Sequence, residues 1–301
     1  MNVQLTKPAS LLMTCLLALL PVVAGANTLE RVRANNTLNL GYLPDFAPFS
    51  SMEGDKVSGY SIDLCVKIAD RIKAELGLAS LQLHYQPVNI TEATSAVASG
   101  KIDILCTPTP ATLERRKTVS YSIPVYTAGL SVVVRDDASE ALLNVLNGKV
   151  AHSGPTWRAT VNHGLANQTF VTTGGGVSES WIREQMRLLG VVATLITVKD
   201  NDEGIKLVAD GKADAFFSER MSLKTHVAVD YPSGKLKILD RIFEYAPVSL
   251  MVERSDENFR LLVDTTLSEM YRSGEIEQAY DKYLGGAGKT AKKLFKVYAQ
   301  P

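Results

Sequence analysis

The sequence predicts an α/β protein of two related lobes, each an open, mostly parallel sheet flanked by helices, with the chain crossing between them twice. Three observations carry this. Ala98-Ser99-Gly100-Lys101-Ile102-Asp103-Ile104-Leu105-Cys106 and Ala209-Asp210-Gly211-Lys212-Ala213-Asp214-Ala215-Phe216-Phe217 share one pattern: a helix end, Gly-Lys, an apolar residue, Asp and a buried strand. Gly211 follows Gly100 at a spacing of 111 residues (211 − 100), and the strand-like runs 38–44 and 149–155, each ending in a Pro turn, recur at a similar offset. Strand and helix patterns alternate around both copies, which predicts parallel sheets whose binding edge lies at the strands' carboxyl ends. Two extended segments, 129–135 and 238–252, are suited to crossing from one lobe to the other.

In chain order, residues 1–8 carry Lys7 and no acid, 11–23 form an almost unbroken apolar run, and Ala24-Gly25-Ala26 is a small-residue exit. This predicts a secretory signal peptide cleaved after Ala26 and a periplasmic protein. The apolar run is shorter than the roughly 20 residues a spanning helix needs. Thr14 before Cys15, with apolar sequence beyond it, argues against a lipoprotein. The rest of the chain is long enough for a sizeable core or two smaller ones. Lys+Arg and Asp+Glu balance at 32 each, which excludes a nucleic-acid partner driven by charge. His84, His152, His163 and His226 are scattered without metal-ligand spacing, so no metal and no cofactor is expected. Cys65 falls on the inner face of a helix set by Ile62, Cys65, Ala69, Ile72 and Leu76, and Cys106 ends a strand. A disulfide between them and a pair of buried thiols both fit, and export favours the disulfide.

A short helix over 29–33 opens the first lobe, followed by a strand over 38–42 and a turn fixed by Pro44 and Pro48, which holds Phe46 at the strand end. A Gly54-Asp55 hairpin leads to the Cys65 helix, a strand over 81–85, an Ala-rich helix over 91–99 and a strand over 102–106. The turn beyond Cys106 holds Thr107, Thr109 and Thr112, then Arg115. A guanidinium with neutral hydroxyl donors around it suits a carboxylate, because its planar fork donates two parallel charge-assisted hydrogen bonds. A surface loop with a salt-bridging Arg is the plainer alternative.

In the second lobe, Ser153, Thr156 and Trp157 sit at a helix entrance where Pro155 is well placed and free backbone N–H groups favour a carboxylate. Thr173-Gly174-Gly175-Gly176 lacks the Lys and spacing of a phosphate loop and reads as a flexible loop before a helix over 178–190. A strand over 194–198 and a helix over 202–209 lead to the second repeat strand, which ends at Ser218-Glu219-Arg220. Glu219 facing Arg115 across a cleft fits a zwitterion. Helices over 259–272 and 275–283 and a Gly-rich, basic tail return to complete the first lobe.

LGYLPDFAPF, GYSIDLC, GKIDILC, TLERRKTVSYSIPVY, GKADAFF and the closing SGEIEQAYDKYLG together resemble the periplasmic amino-acid-binding proteins of ABC importers, solute-binding protein family 3, of the periplasmic-binding-protein type II fold. The resemblance covers nearly all of the chain beyond the signal peptide, and GYSIDLC with the ILC strand is similar to the glutamate/aspartate-binding branch, whose similarly placed cysteines favour a Cys65–Cys106 disulfide. It implies that Arg115 holds the ligand α-carboxylate, Phe46 stacks on the ligand, Thr156 and its helix N-terminus assist the carboxylate, and Glu219 stands where an Asp takes the α-amino group. It also implies a monomer with lobe one at 27–131, lobe two at 132–243 and lobe one completed by 244–301. Hinges near 126–131 and 243–249 close on the ligand, and the closed form docks on an ABC permease at the inner membrane without chemistry.

The chain departs from the family at Pro108 and Pro110, which have no N–H to donate, at Glu219, and at Ala93 and Thr94, where acidic-ligand members carry an Arg. With no second fixed cation, a polar-neutral or apolar amino acid or a related small carboxylate is the expected ligand, and glutamate and aspartate are expected to bind poorly. The same fold resembles cyclohexadienyl dehydratases, so an exported lyase with Glu219 as its acid is the alternative. Arg220 beside Glu219 is expected to favour the charged form and argues against it.

Overall fold

The structure, a computed structural model, describes residues 27–149 and 163–301. Among these residues no helix is long and apolar enough to cross a membrane. Helix α1 (Thr28–Asn35) starts at Asn27, whose side chain accepts the Glu30 N–H at 2.9 Å, an N-cap that satisfies one free donor of the first turn. Strand β1 (Thr37–Tyr42) leads into a small antiparallel sheet of β2 (Asp45–Phe46), β3 (Ser50–Glu53) and β4 (Lys56–Ser58). Then follow α2 (Tyr60–Glu75), β5 (Gln82–Pro87), α3 (Ile90–Ala98), β6 (Ile104–Pro110) and the long β7 (Val119–Arg135). The second half holds α4 (Glu140–Leu146), β8 (Thr169–Thr173), α5 (Val177–Leu189), β9 (Thr194–Val198), α6 (Asn201–Ala209), β10 (Ala215–Glu219), α7 (Arg220–Asp230) and β11 (Leu236–Ile238). The return consists of β12 (Glu244–Glu253), α8 (Glu257–Ser273), α9 (Glu275–Leu284) and α10 (Lys289–Tyr298).

The main strands run in the order β5-β1-β6-β12-β7-β10-β8-β9, with β11 against β7. β1 is parallel to β5 and β6, and β8 is parallel to β9 and β10, as the strand-helix alternation predicts. The two predicted crossings pair with each other: β12 lies antiparallel to β7 from Glu244 opposite Leu130 to Glu253 opposite Val119. One group of buried side chains is drawn from Val32 through Val125 together with Leu250 through Phe295, and another from Val132 through Leu239. The chain thus contributes to the first core from both of its ends.

The repeated Gly-Lys-apolar-Asp pattern has the same physical content in both copies. Gly100 and Gly211 each stand at φ 71°, a left-handed turn that glycine adopts without a Cβ penalty, and their N–H groups bond Val97 O and Val208 O at 3.0 Å. The aspartates then anchor a neighbouring strand: Asp103 accepts the Asn39 N–H at 2.7 Å, and Asp214 accepts the Thr169 N–H at 2.7 Å. Asp103 is 2% exposed, and it also accepts from Arg31 and the Asn39 side chain.

Cys65 and Cys106 form a disulfide, with Cα atoms 6.1 Å apart, that ties α2 to β6. Two expectations are corrected. The strand expected over 102–106 starts at Ile104 and continues to Pro110, because β12 pairs with it as far as Val248 opposite Pro110. The basic tail folds into α10, which buries Phe295 against Tyr280 and Tyr271. The strand expected over 149–155 lies almost wholly outside the described residues.

The disulfide closes a loop of 41 residues, for which chain entropy alone gives a stabilisation of about 4 kcal/mol. Urea unfolding with and without reductant is expected to differ by roughly 2–4 kcal/mol, and a difference near zero would assign the stability of this region to packing alone. The aspartate pair gives a second test. Asp103→Ala strands the buried Asn39 N–H and is expected to cost about 3 kcal/mol, while Asp214→Ala, at a partly exposed position, is expected to cost about 1 kcal/mol. Equal losses would remove the distinction.

Candidate functional site

The loops after β1, β6, β9 and β10 converge on one cleft of about 680 Å³, at the carboxyl ends of parallel strands. Arg115, Phe46, Thr107, Thr109, Thr112 and Glu219 all line it, so the structure brings these six sequence-derived candidates together. Thr156, Trp157 and Ser153 lie outside the described residues.

Arg115 opens a short 3₁₀ turn, residues Arg115–Lys117, after β6. Its guanidinium donates to the carbonyls of Pro110 at 3.5 Å and Gly175 at 3.3 Å, the second of these across the cleft on the loop after β8. Both acceptors are neutral, and no carboxylate pairs with Arg115 among the described residues, so its charge remains available to an anion. The threonines have separate duties. Thr112 Oγ1 accepts the Arg115 N–H at 3.2 Å and shapes the turn. Thr107, though it touches the cleft, spends its hydroxyl on the Leu43 N–H at 2.9 Å and on Ser50 Oγ at 2.7 Å. Thr109 Oγ1 and the Tyr121 hydroxyl are buried without a bond of good geometry. Burial pushes the Tyr121 phenol up, while the neighbouring Arg115 and Thr109 pull it down.

Glu219 ends β10 and caps α7, accepting the Ser222 N–H at 2.8 Å and the Tyr126 hydroxyl at 3.4 Å. Burial pushes its carboxyl from 4.5 up to about 7, against the opposing pull of the Ser222, Met221 and Gly129 N–H groups and of Tyr126. The expected help from Arg220 is corrected: its guanidinium turns away to Leu239 O at 2.6 Å and Asp240 at 3.0 Å, and the groups that chiefly oppose burial at Glu219 are N–H groups and the Tyr126 phenol.

Phe46 packs against Phe49 with ring centroids 5.7 Å apart, and Phe49 against Tyr126 at 4.8 Å, both pairs tilted, which gives the cleft an aromatic wall. Tyr42, at the end of β1, is 1% exposed with its hydroxyl against Met52 and does not line the cleft. Trp181 on α5 and Tyr126 on β7 line it instead. The expectation of no second cation is also corrected. Lys199, at the carboxyl end of β9, lines the cleft and pairs with Asp200 at 3.4 Å. The strand-end rule that found Arg115 and Glu219 finds Lys199 too when applied to β9. At the start of α3 the cleft meets Glu92 and the cap Asn89, so an acid stands near the place where an Arg was sought.

The two sides of the cleft also touch directly. Asn201 Nδ2 donates to Asp45 O at 3.1 Å and to Ser222 Oγ at 3.0 Å, and the Asp202 N–H donates to Asp45 Oδ2 at 3.0 Å. The turn after β1 is thereby fastened to the start of α6.

Curated relatives share much of the chain. The L-glutamate/L-aspartate-binding protein of Pseudomonas aeruginosa is 28% identical over 282 residues, covering 91% of this chain and 87% of its own. The glutamate/aspartate import solute-binding protein of Escherichia coli is 23% identical over 290 residues, covering 93% of this chain and 89% of its own. Among solved structures, an ancestral amino acid-binding protein that is a precursor of cyclohexadienyl dehydratase superimposes with a TM-score of 0.69 at 21% identity, over 86% of this chain and 99% of its own. That likeness shows the type II periplasmic-binding fold. Residues 38–286 match the profile of the bacterial extracellular solute-binding proteins, family 3, and the chain belongs to that family.

Proposed function

We propose that the protein is the periplasmic binding component of an ABC importer that captures an α-amino acid with a neutral side chain, or a related small carboxylate, between two lobes. The carrying observation is that Arg115, with only neutral acceptors, and Glu219, held in a desolvated cap, line one cleft from opposite repeats. A zwitterion supplies the missing counter-charge to each: its carboxylate to the guanidinium and its ammonium to Glu219. Lobe one comprises 27–131 and 244–301 and lobe two comprises 132–243, the hinges lie near 126–131 and 243–249, and the closed form is presented to the permease. Residues 1–26 direct export and are removed after Ala26.

A neutral side chain is favoured because Lys199 is already matched by Asp200, while Glu92, Asp45 and Glu244 add further acids to the lining. A buried side-chain carboxylate in that field lacks compensation. The raised Glu219 value by itself suits a general acid, but the same carboxylate is occupied as a helix cap, and the curated relatives named above are binding proteins.

Calorimetry of purified protein against the amino acids tests the assignment. Neutral amino acids are expected to bind at least about tenfold more tightly than glutamate or aspartate, and Arg115→Ala is expected to weaken the best ligand roughly a hundredfold, about 3 kcal/mol. Unchanged affinity in Arg115→Ala would falsify the carboxylate role, and tightest binding of glutamate would overturn the side-chain class alone. Glu219 predicts the pH dependence. Its folded value of about 7 exceeds the ordinary 4.5, so protonation stabilises the free protein and stability falls as pH rises from 4.5 to 7. Ligand affinity runs the opposite way, because an ammonium needs the ionised carboxylate. From about pH 8 to about pH 6 the affinity of the wild type should fall about tenfold relative to Glu219→Gln, and a constant ratio between the two proteins would exclude the ammonium role.

A further inference from the structure

His226 lies outside the ligand-facing set but in a defined setting. The residue is 8% exposed on α7, with Nε2 at 3.3 Å from Asp45 Oδ1 and Nδ1 at 3.1 Å from Asp202 Oδ1. Asp230 Oδ2 lies at 3.8 Å from the same Nδ1. Asp45 belongs to β2, on the first side of the cleft, and Asp202 and Asp230 belong to α6 and α7 on the second. The imidazole therefore stands between carboxylates from both sides, beside the Asp45 bonds to Asn201 and Asp202.

Protonation decides whether this arrangement holds together. A neutral imidazole has one N–H and one lone pair, whereas an ionised carboxylate only accepts. One of the two flanking aspartates must then face a lone pair, and Nε2 is buried without a well-aligned hydrogen-bond partner. An imidazolium donates from both nitrogens and satisfies both aspartates at once. We infer that His226 is a positioning residue for closure, tying Asp45 to α6 and α7 as an imidazolium, so that the two sides of the cleft are held together more firmly in acid than in base. This rests on the two-lobe reading above and not on the identity of the ligand.

The charged surroundings have one sign. Asp45 faces the ring from β2, Asp202 from the start of α6 with Asp200 beside it, and Asp230 from the end of α7, followed by Tyr231. Lys199 is turned to Asp200. Burial pushes the Asp45 carboxyl up and the facing His226 pulls it back, as a charge pair across a seam requires. When the sides part, Asp45 leaves the ring and the imidazolium loses one of the two carboxylates that accept from it, so acid favours the joined form. One atom each of Asp45, Asp202 and His226 lie within 4.8 Å of one another, which makes a divalent cation the rival occupant. The two aspartates flank opposite ring nitrogens, an arrangement made for two N–H donors.

The test uses ligand-free protein in EDTA, with spin labels at Lys73→Cys on α2 and Arg187→Cys on α5, one on each side of the cleft. Double electron–electron resonance is expected to show a larger short-distance population at about pH 5.5 than at about pH 8.5, the window in which histidine changes charge. Asp45→Asn and His226→Gln should each abolish the difference. A difference that survives in Asp45→Asn is due to another group, such as Glu219, and overturns the proposal. Nitrogen-detected imidazole spectra at about pH 5.5 give an independent reading: the His226 Nε2 proton should be protected from solvent exchange in the wild type and lose that protection in Asp45→Asn, and unchanged protection overturns the coupling. If the pH response is present without chelator and vanishes in EDTA, the cluster belongs to a metal ion and the proton reading is wrong. None of these outcomes depends on which solute binds, so the ligand assignment can fail while this one stands.

Discussion

The pairing of β7 with β12 is the constraint on which the architecture depends. Each strand alone is an extended crossing, but together they form an antiparallel ribbon, with Glu244 opposite Leu130 and Glu253 opposite Val119. Because the ladder satisfies their backbone groups across the seam, neither crossing is a free linker. The first core can draw on Leu250 through Phe295 only because the ribbon returns the chain to it. The ribbon also sets the floor of the cleft, where Tyr126 and Gly129 meet the Glu219 carboxylate.

The electrostatics of the cleft follow from what each charged group is denied. Arg115 is held by carbonyls, which orient a guanidinium without neutralising it. Glu219 is held by backbone N–H groups and a phenol, which lower the cost of its charge without removing it, and burial prevails by enough to leave the group close to neutrality. A ligand that brings both signs completes both sites, and neither protein group has to move to a new partner elsewhere.

Much of this was legible in the sequence. The repeated Gly-Lys-apolar-Asp segment predicted two related units, and its aspartates perform the same strand-anchoring task in each, a role that the pattern alone did not reveal. Arg115, Phe46 and Glu219 were found from their place at strand ends. Lys199 was missed although it occupies such a place, because β9 lies outside the repeated segment that drew attention. The length of β6 was misread because Pro108 and Pro110 mark turns far more often than strands, and only the neighbouring β12, distant in sequence, overrides that preference. The cluster around His226 was invisible for the same reason: Asp45 and His226 are brought together by the tertiary fold, and no spacing rule links them.

The aromatic wall of the cleft extends well beyond it. Phe46 touches Phe49, Phe49 touches Tyr126, Tyr126 touches Tyr280 at 5.9 Å, and Tyr280 touches Phe295 of the last helix at 4.9 Å. This column lies on one side of the cleft, while Trp181 lines the other from α5. Tyrosine emission overlaps indole absorption, so among the described residues the tyrosines of this column and Trp181 form a natural donor–acceptor pair across the cleft. A change in their separation alters the ultraviolet fluorescence of the unmodified chain.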